Sequence, residues 1–198
     1  LEHALALVAE RHEVLRCRFL HRGGEPFAQI GWPERTGIEL VDLQFLGGTA
    51  DRPVDREAQD TEVQRRVGDA IAMPFDLRSA PLWRWTAFRL APEEHVVVAV
   101  LHHIMCDGAS VDILLRDIAA AYEAVVRGAS PYWPALPVQY IDVAAWQRRC
   151  AHEGAFAAGV AYWQQQLTGS EPLSLPTDHA RPAAGQTYAG ARLWQRLG

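Results

Sequence analysis

Apolar residues recur along this chain with two different periods, and the switches between them mark its elements. Leu1, Ala4, Leu5 and Val8 fall at helical spacing and predict a helix ending near Glu10. Residues 15–21 alternate in strand fashion, and Gly23-Gly24 predicts a hairpin returning through Phe27 to Ile30. A short strand over 38–42 and a loop through Pro53 lead to a polar helix over 55–72, with Val63, Val67, Ala70 and Ile71 on one side. Pro74 disfavours helix in the residue before it and ends that element. Strands over 82–90 and 95–101 pair through the turn 91–94; the unbroken apolar run of the second reads as a buried strand. Val111, Leu114, Leu115, Ile118, Ala119 and Tyr122 then form one face of a helix over 111–126, packed on the sheet and closed by Gly128. A loop over 131–137 carries Tyr132 and Trp133, read as packing residues. Helices over 138–152 and 155–167 join at Gly154, and a proline-rich connection over 172–182 runs to a strand-like stretch at 190–198.

The stretch that bears chemistry is His102-His103-Ile104-Met105-Cys106-Asp107-Gly108, on the turn between a strand and a helix. Two imidazoles, a carboxylate and a glycine amide share one short loop, a common mounting for a site. A lone histidine beside a strand is more often a hydrogen-bonded core residue; four fixed residue types in one pattern are far rarer by chance. Metal binding would recruit Cys106 or Asp112, and neither completes a zinc spacing. Ser110 lacks the Gly-x-Ser-x-Gly elbow of a serine nucleophile, and Gly23-Gly24 lacks the Gly-Lys-Ser/Thr of a phosphate loop. Neighbouring residues on extended chain face opposite ways, so one histidine of the pair is directed away from the other.

His102-His103-x-x-x-Asp107-Gly108 resembles the HHxxxDG motif of nonribosomal peptide synthetase condensation domains, in the chloramphenicol acetyltransferase-like superfamily. Residues 11–19, from Arg11-His12-Glu13 to Phe19, resemble the family's RHExLRTxF segment, with Cys17 in place of threonine. Met73-Pro74-Phe75-Asp76-Leu77 with Pro81-Leu82 resembles PFDL…PL, and residues 140–147 resemble YxDYAxWQ. Tyr162-Trp163 through Leu175-Pro176-Thr177-Asp178 to Arg181-Pro182 resembles the YW…LPTDxxRP stretch. The resemblance implies an α+β lobe, a mixed sheet covered by helices. It implies that residues 1–198 are the N-terminal lobe of a two-lobed domain whose C-terminal lobe is absent, and both ends read as cut.

The activity implied is peptide-bond formation between a carrier-bound acyl or peptidyl thioester and the amine of a carrier-bound aminoacyl group. His103 is then the catalytic residue, as base or as positioner, and Gly108 offers its N–H to the tetrahedral oxygen. His102 is a structural neighbour, and Asp107 orients the loop through an ion pair with Arg16. No cofactor is bound; substrates ride on phosphopantetheine arms. The implied partners are donor and acceptor carrier domains, the missing lobe and an adjacent adenylation domain. Ala109 stands where many members have tryptophan, so the subtype stays open. An epimerisation domain, a stand-alone CoA acyltransferase and a catalytically idle recruitment domain of the same fold remain alternatives. A single lobe is expected to be inactive without its other half.

Composition narrows the classes further. The chain is 49% apolar and 22% charged, ordinary for a globular domain. Its net charge of -5 argues against nonspecific nucleic-acid binding, which needs a basic face. All 19 basic residues are arginine, leaving no lysine chemistry. Cys17, Cys106 and Cys150 form no CxxC pair and fit a reducing cytosol. No apolar run approaches the roughly 18 residues of a membrane span, and no signal segment opens the chain, so a cytoplasmic protein is expected.

Overall fold

The computed structural model describes residues 1–32, 36–46, 48, 55–180 and 195. Its chain divides into two compact units, Leu1–Glu153 and Gly154–Gly198. The expected final strand at 190–198, residue 195 apart, and residues 49–54 around Pro53 lie outside the described residues, as do Arg181 and Pro182.

In the first unit, α1 (Glu2–Arg11) buries Ala4, Leu5, Val8 and Ala9, with Glu2 in its first turn and Arg11 in its last, as the helix dipole favours. The expected strand from Leu15 begins two residues later. Glu13–Arg16 is a short 3-10 turn, and β1 (Cys17–Arg22) pairs antiparallel with β2 (Glu25–Ile30) from Cys17↔Ile30 to Arg22↔Glu25. The two-residue connection needs positive φ at both positions, and Gly23 and Gly24 supply it at 60° and 87°.

The second sheet has the order β3 (Ile38–Asp42), β4 (Trp83–Ala91), β5 (Glu94–Leu101). β3 (Ile38–Asp42) runs parallel to β4 (Trp83–Ala91), so the chain must cross over, and α2 (Arg56–Ala72) is that crossover. Asp55 caps α2 by accepting from the Ala58 N–H. Val63 is buried and Val67 half-buried against Leu43, Phe88 and Leu90; Ile71, expected on that face, is exposed. Gln59, fully buried, donates from Nε2 to the carbonyls of Leu43 (2.7 Å) and Leu90 (3.0 Å), which clamps α2 to the ends of β3 and β4. β4 is central: Trp83 and Trp85 point to one side, Phe88 and Leu90 to the other. Together the two sheets and their helices form the expected α+β arrangement, and the second sheet is mixed.

β5 (Glu94–Leu101) pairs antiparallel with β4. It is not the buried strand its apolar run suggests. Among the described residues its outer side has no partner, and Val97 is exposed. Composition told strand from helix correctly; burial depends on sheet order, which composition does not carry.

The larger core lies on the Trp83–Trp85 side, where α1 and Leu15 meet Leu82, Met105 and α3 (Gly108–Val126). α3 packs mainly on α1 through Leu114, Ile118 and Ala121. The expected face is therefore rotated: Leu114 and Ile118 are buried, while Val111, Leu115 and Tyr122 are exposed. The rotation admits a charged residue, Asp117, to the buried side. Trp133 packs against the same core beneath the Arg11 guanidinium, whereas its neighbour Tyr132, expected to pack, is fully exposed. α4 (Tyr140–His152) follows, and at its start the Gln139 N–H donates to Asp142 Oδ2 at 2.8 Å. In the second unit, Gly154 at φ 75° precedes α5 (Ala157–Gln166), whose Tyr162 and Trp163 rings meet edge to face.

Candidate active-site cleft

The strand-to-helix turn that carries the histidine pair is anchored at both ends. His102 N–H donates to the Leu82 carbonyl at 2.9 Å, continuing the sheet by one bond, and Met105 N–H donates to the His102 carbonyl. Met105 is buried in the main core, so the turn is pinned from below. The His102 ring accepts the Ile104 N–H on Nδ1 at 3.0 Å, which places the hydrogen of the neutral ring on Nε2. Its ring meets Phe75 edge to face at 5.9 Å, and Phe75 is also covered by the Arg84 guanidinium at 3.7 Å. Arg84 donates in addition to the Met73 carbonyl, fixing the segment that delivers Phe75. His102 is thus half-buried against Phe75, and His103 is exposed.

His103 lines a cleft of about 340 Å³. The wall is mostly apolar, with Val14, Leu15, Ile104, Ile113 and Leu136, and its polar groups include His12, His103, Asp107 and Gln139. Cys106 also borders it, but burial first and the Asp107 charge second push its thiol up, away from a thiolate nucleophile.

Asp107 is the N-cap of α3. Its Oδ1 accepts from the Ser110 N–H at 2.8 Å and from the Ser110 hydroxyl at 2.6 Å, and Ser110 Oγ accepts the Asp107 N–H in return. The Ser110 hydroxyl, then its N–H, hold the carboxyl below the usual carboxylate range. A carboxylate held that low is a weak proton acceptor near neutral pH. Gly108, the first residue of α3, has an N–H without an intrahelical partner, and a Cβ there would meet nothing within 4 Å. The folded chain does not itself require glycine at this place.

The expected ion pair between Asp107 and Arg16 does not form. Arg16 Nε donates to the Ala9 carbonyl at 2.8 Å and its Nη1 to Gly31, joining the end of α1 to the end of β2. A short side chain at a helix start finds its partner three residues on and needs no distant arginine.

The buried ion cluster lies elsewhere, at residues the spacing argument passed over. Asp117 Oδ2 accepts from Arg11 Nε at 3.0 Å and meets His12 Nε2 at 2.8 Å, with Arg116 Nε 3.3 Å from Oδ1. Burial alone would raise the Asp117 carboxyl, but the bonds from His12, Arg11 and Arg116 outweigh it and hold it below its ordinary range. Gln139 completes the corner: its Nε2 donates to the Arg11 carbonyl and its Oε1 accepts the Glu13 N–H. A charged residue on a helical stripe otherwise apolar, three positions after Leu114, was the signal available for Asp117.

A family model described as Condensation domain matches residues 1–196. A linear gramicidin synthase chain of Brevibacillus parabrevis is 42% identical over 191 residues, which are 96% of this chain and 4% of that protein. Phosphinothricin tripeptide synthetase of Streptomyces viridochromogenes is 35% identical over 190 residues, 96% of this chain and 17% of that protein. The X-domain from teicoplanin biosynthesis superposes with a TM-score of 0.78 at 30% identity, over 92% of this chain and 38% of that one. The epimerization domain from the third module of tyrocidine synthetase B superposes with a TM-score of 0.71 at 25% identity, over 90% and 39%. The chain therefore spans a small fraction of the synthetases it matches and under two fifths of the solved domains.

Proposed function

Because the chain belongs to the condensation-domain family of nonribosomal peptide synthetases, we propose that it is the N-terminal lobe of such a domain and carries the histidine of its amide-forming site. The observation that supports this most is the exposed His103 ring on the wall of a cleft, at the start of α3, on a turn held rigid by Met105 and His102.

Thioesters are reactive acyl donors, so the site's task is limited. A free α-amine has a pKa of about 8 and is partly neutral near pH 7. Alignment of two bound reactants contributes about 7 to 11 kcal/mol, whereas general-base help is worth about 10²- to 10⁴-fold. His103 accepts a hydrogen bond from the attacking amine and holds its lone pair on the carbonyl, taking the proton as the C–N bond forms and passing it to the pantetheine sulfur as the C–S bond breaks and the donor thiol leaves. The Gly108 N–H, unpaired at the helix start, receives the oxyanion. Asp107 shapes the helix start, His102 fixes the turn, and Arg16 ties α1 to β2. The lobe binds no cofactor of its own. Its partners are the donor and acceptor carrier domains with their phosphopantetheine arms, the C-terminal lobe and the adenylation domain, in the cytoplasm. The lobe alone is inactive.

In the synthetase module that carries this chain, His103→Ala is expected to melt as the parent does while amide formation falls at least about 100-fold. A variant that keeps parental rates would overturn the assignment. The likeness to an epimerization domain supports a second reading, in which the same histidine moves an α-proton. Deuterium uptake at the α-carbon of a carrier-bound aminoacyl group, without amide product, would favour that reading.

A further inference from the structure

The cleft holds a second imidazole that the proposed reaction leaves idle. His12 closes α1 and lines the same space as His103, with its side chain only 18% exposed. Its Nε2 is 2.8 Å from Asp117 Oδ2. Asp117, whose side chain is 6% exposed, is held as a carboxylate by Arg11 and Arg116 as well, and a carboxylate only accepts. The hydrogen in that bond therefore belongs to His12 Nε2. In the uncharged ring, Nδ1 is then an acceptor, and it has no hydrogen-bond partner among the described residues. This is the carboxylate-imidazole arrangement that fixes a tautomer and aims the remaining nitrogen.

The ring's position is fixed as well. Gln139 bonds the Arg11 carbonyl and the Glu13 N–H, one on each side of His12, and Arg11 is held by the Pro134 carbonyl at 2.8 Å. The other titratable groups on the cleft are His103, Cys106 and Asp107 from the turn and Tyr140 from α4. Such a preset acceptor in a mostly apolar cleft suits one polar group of an otherwise apolar ligand.

We propose that His12 is a substrate-binding residue whose Nδ1 accepts a hydrogen bond from the N–H on the α-carbon of the acyl donor. The inference rests on the condensation reading above. There the attacking amine is already assigned to His103, and the α-nitrogen is the other N–H that an aminoacyl or peptidyl thioester brings, proline and N-alkylated residues apart. His12 forms no covalent bond and moves no proton. It selects donors that carry nitrogen over those that carry oxygen.

His12→Gln tests this, because the Gln amide keeps a donor near the Nε2 position for Asp117 while the Nδ1 acceptor is lost. In the intact module, peptidyl donors are compared with analogues in which the α-nitrogen is replaced by oxygen. Loss of one such bond is worth about two- to tenfold in kcat/KM. The parent is expected to prefer the nitrogen donor by that factor, and the variant, melting with the parent, to show no preference. A variant that retains the preference overturns the inference, as does nitrogen NMR of His12 showing the hydrogen on Nδ1. A stable amide analogue of the donor separates the two readings. If it shifts the His12 Nδ1 resonance while the parent makes no amide, the contact stands and the reaction falls; if amide forms and Nδ1 does not shift, the reaction stands and the contact falls.

Discussion

Removing the buried carboxylate of Asp117 offers the sharpest test of how this core is held together. Asp117→Ala deletes the shared acceptor of Arg11 and His12 and leaves a guanidinium that is 9% exposed without its main counter-charge. Breaking a buried pair by removing one partner costs about 3 to 5 kcal/mol. The low end applies here, because Arg11 keeps the Pro134 carbonyl and its place over the Trp133 ring. The Arg116 contact adds little, since that arginine is exposed. About 3 kcal/mol corresponds to a fall of about 6 to 12 °C in Tm for a domain of this size. Circular dichroism melts of parent and variant measure it. The gap also depends on pH in a defined direction: the folded carboxyl is depressed, so its contribution is complete above the unfolded value of about 3.9 and is lost as pH falls through the lower folded value. Parent and variant should therefore converge as the pH falls below about 3.9. A variant melting within about 2 °C of the parent at pH 7 would refute the argument.

Two further outcomes follow from the geometry. Asp107→Ala removes an exposed helix cap and no ion pair, so it is expected to lower Tm far less than Asp117→Ala, and Asp107→Ser is expected to restore the loss in the same melts. Gln59→Leu strands the buried Leu90 carbonyl, while the Leu43 carbonyl keeps the Leu46 N–H, and urea unfolding is expected to show a loss of about 2 kcal/mol.

Most element types were legible from periodicity, because the strand and helix periods differ and glycine and proline punctuate them. The Gly23-Gly24 hairpin and the crossover helix after β3 needed only local signals. What escaped was set by tertiary choice. The α3 stripe can be drawn through Leu115 and Tyr122 or through Asp117 and Ala121; the aliphatic count favours the first, while the Arg11 and His12 side chains select the second. The same limit explains β5, whose valines lie on an edge. At the site, the motif located the turn and the alternation of its histidines, since His102 packs on Phe75 and His103 faces the cleft. The arginine of Asp107 did not follow, because resemblance names a partner without giving the distance, and Ser110 stood nearer. His12 lay in a matched segment, yet no spacing rule links it to a carboxylate 105 residues away.

The stack of Arg84, Phe75 and His102 has a practical bearing on swapping pieces between synthetases. One imidazole is seated by an aromatic ring from the stretch before β4 and a cation within β4, which ties residues 73–102 into a single structural block. A chimaera joined between Phe75 and His102 would ask the ring of one parent to seat the histidine of the other. Junctions placed before Met73 or beyond Ser110 spare that mismatch.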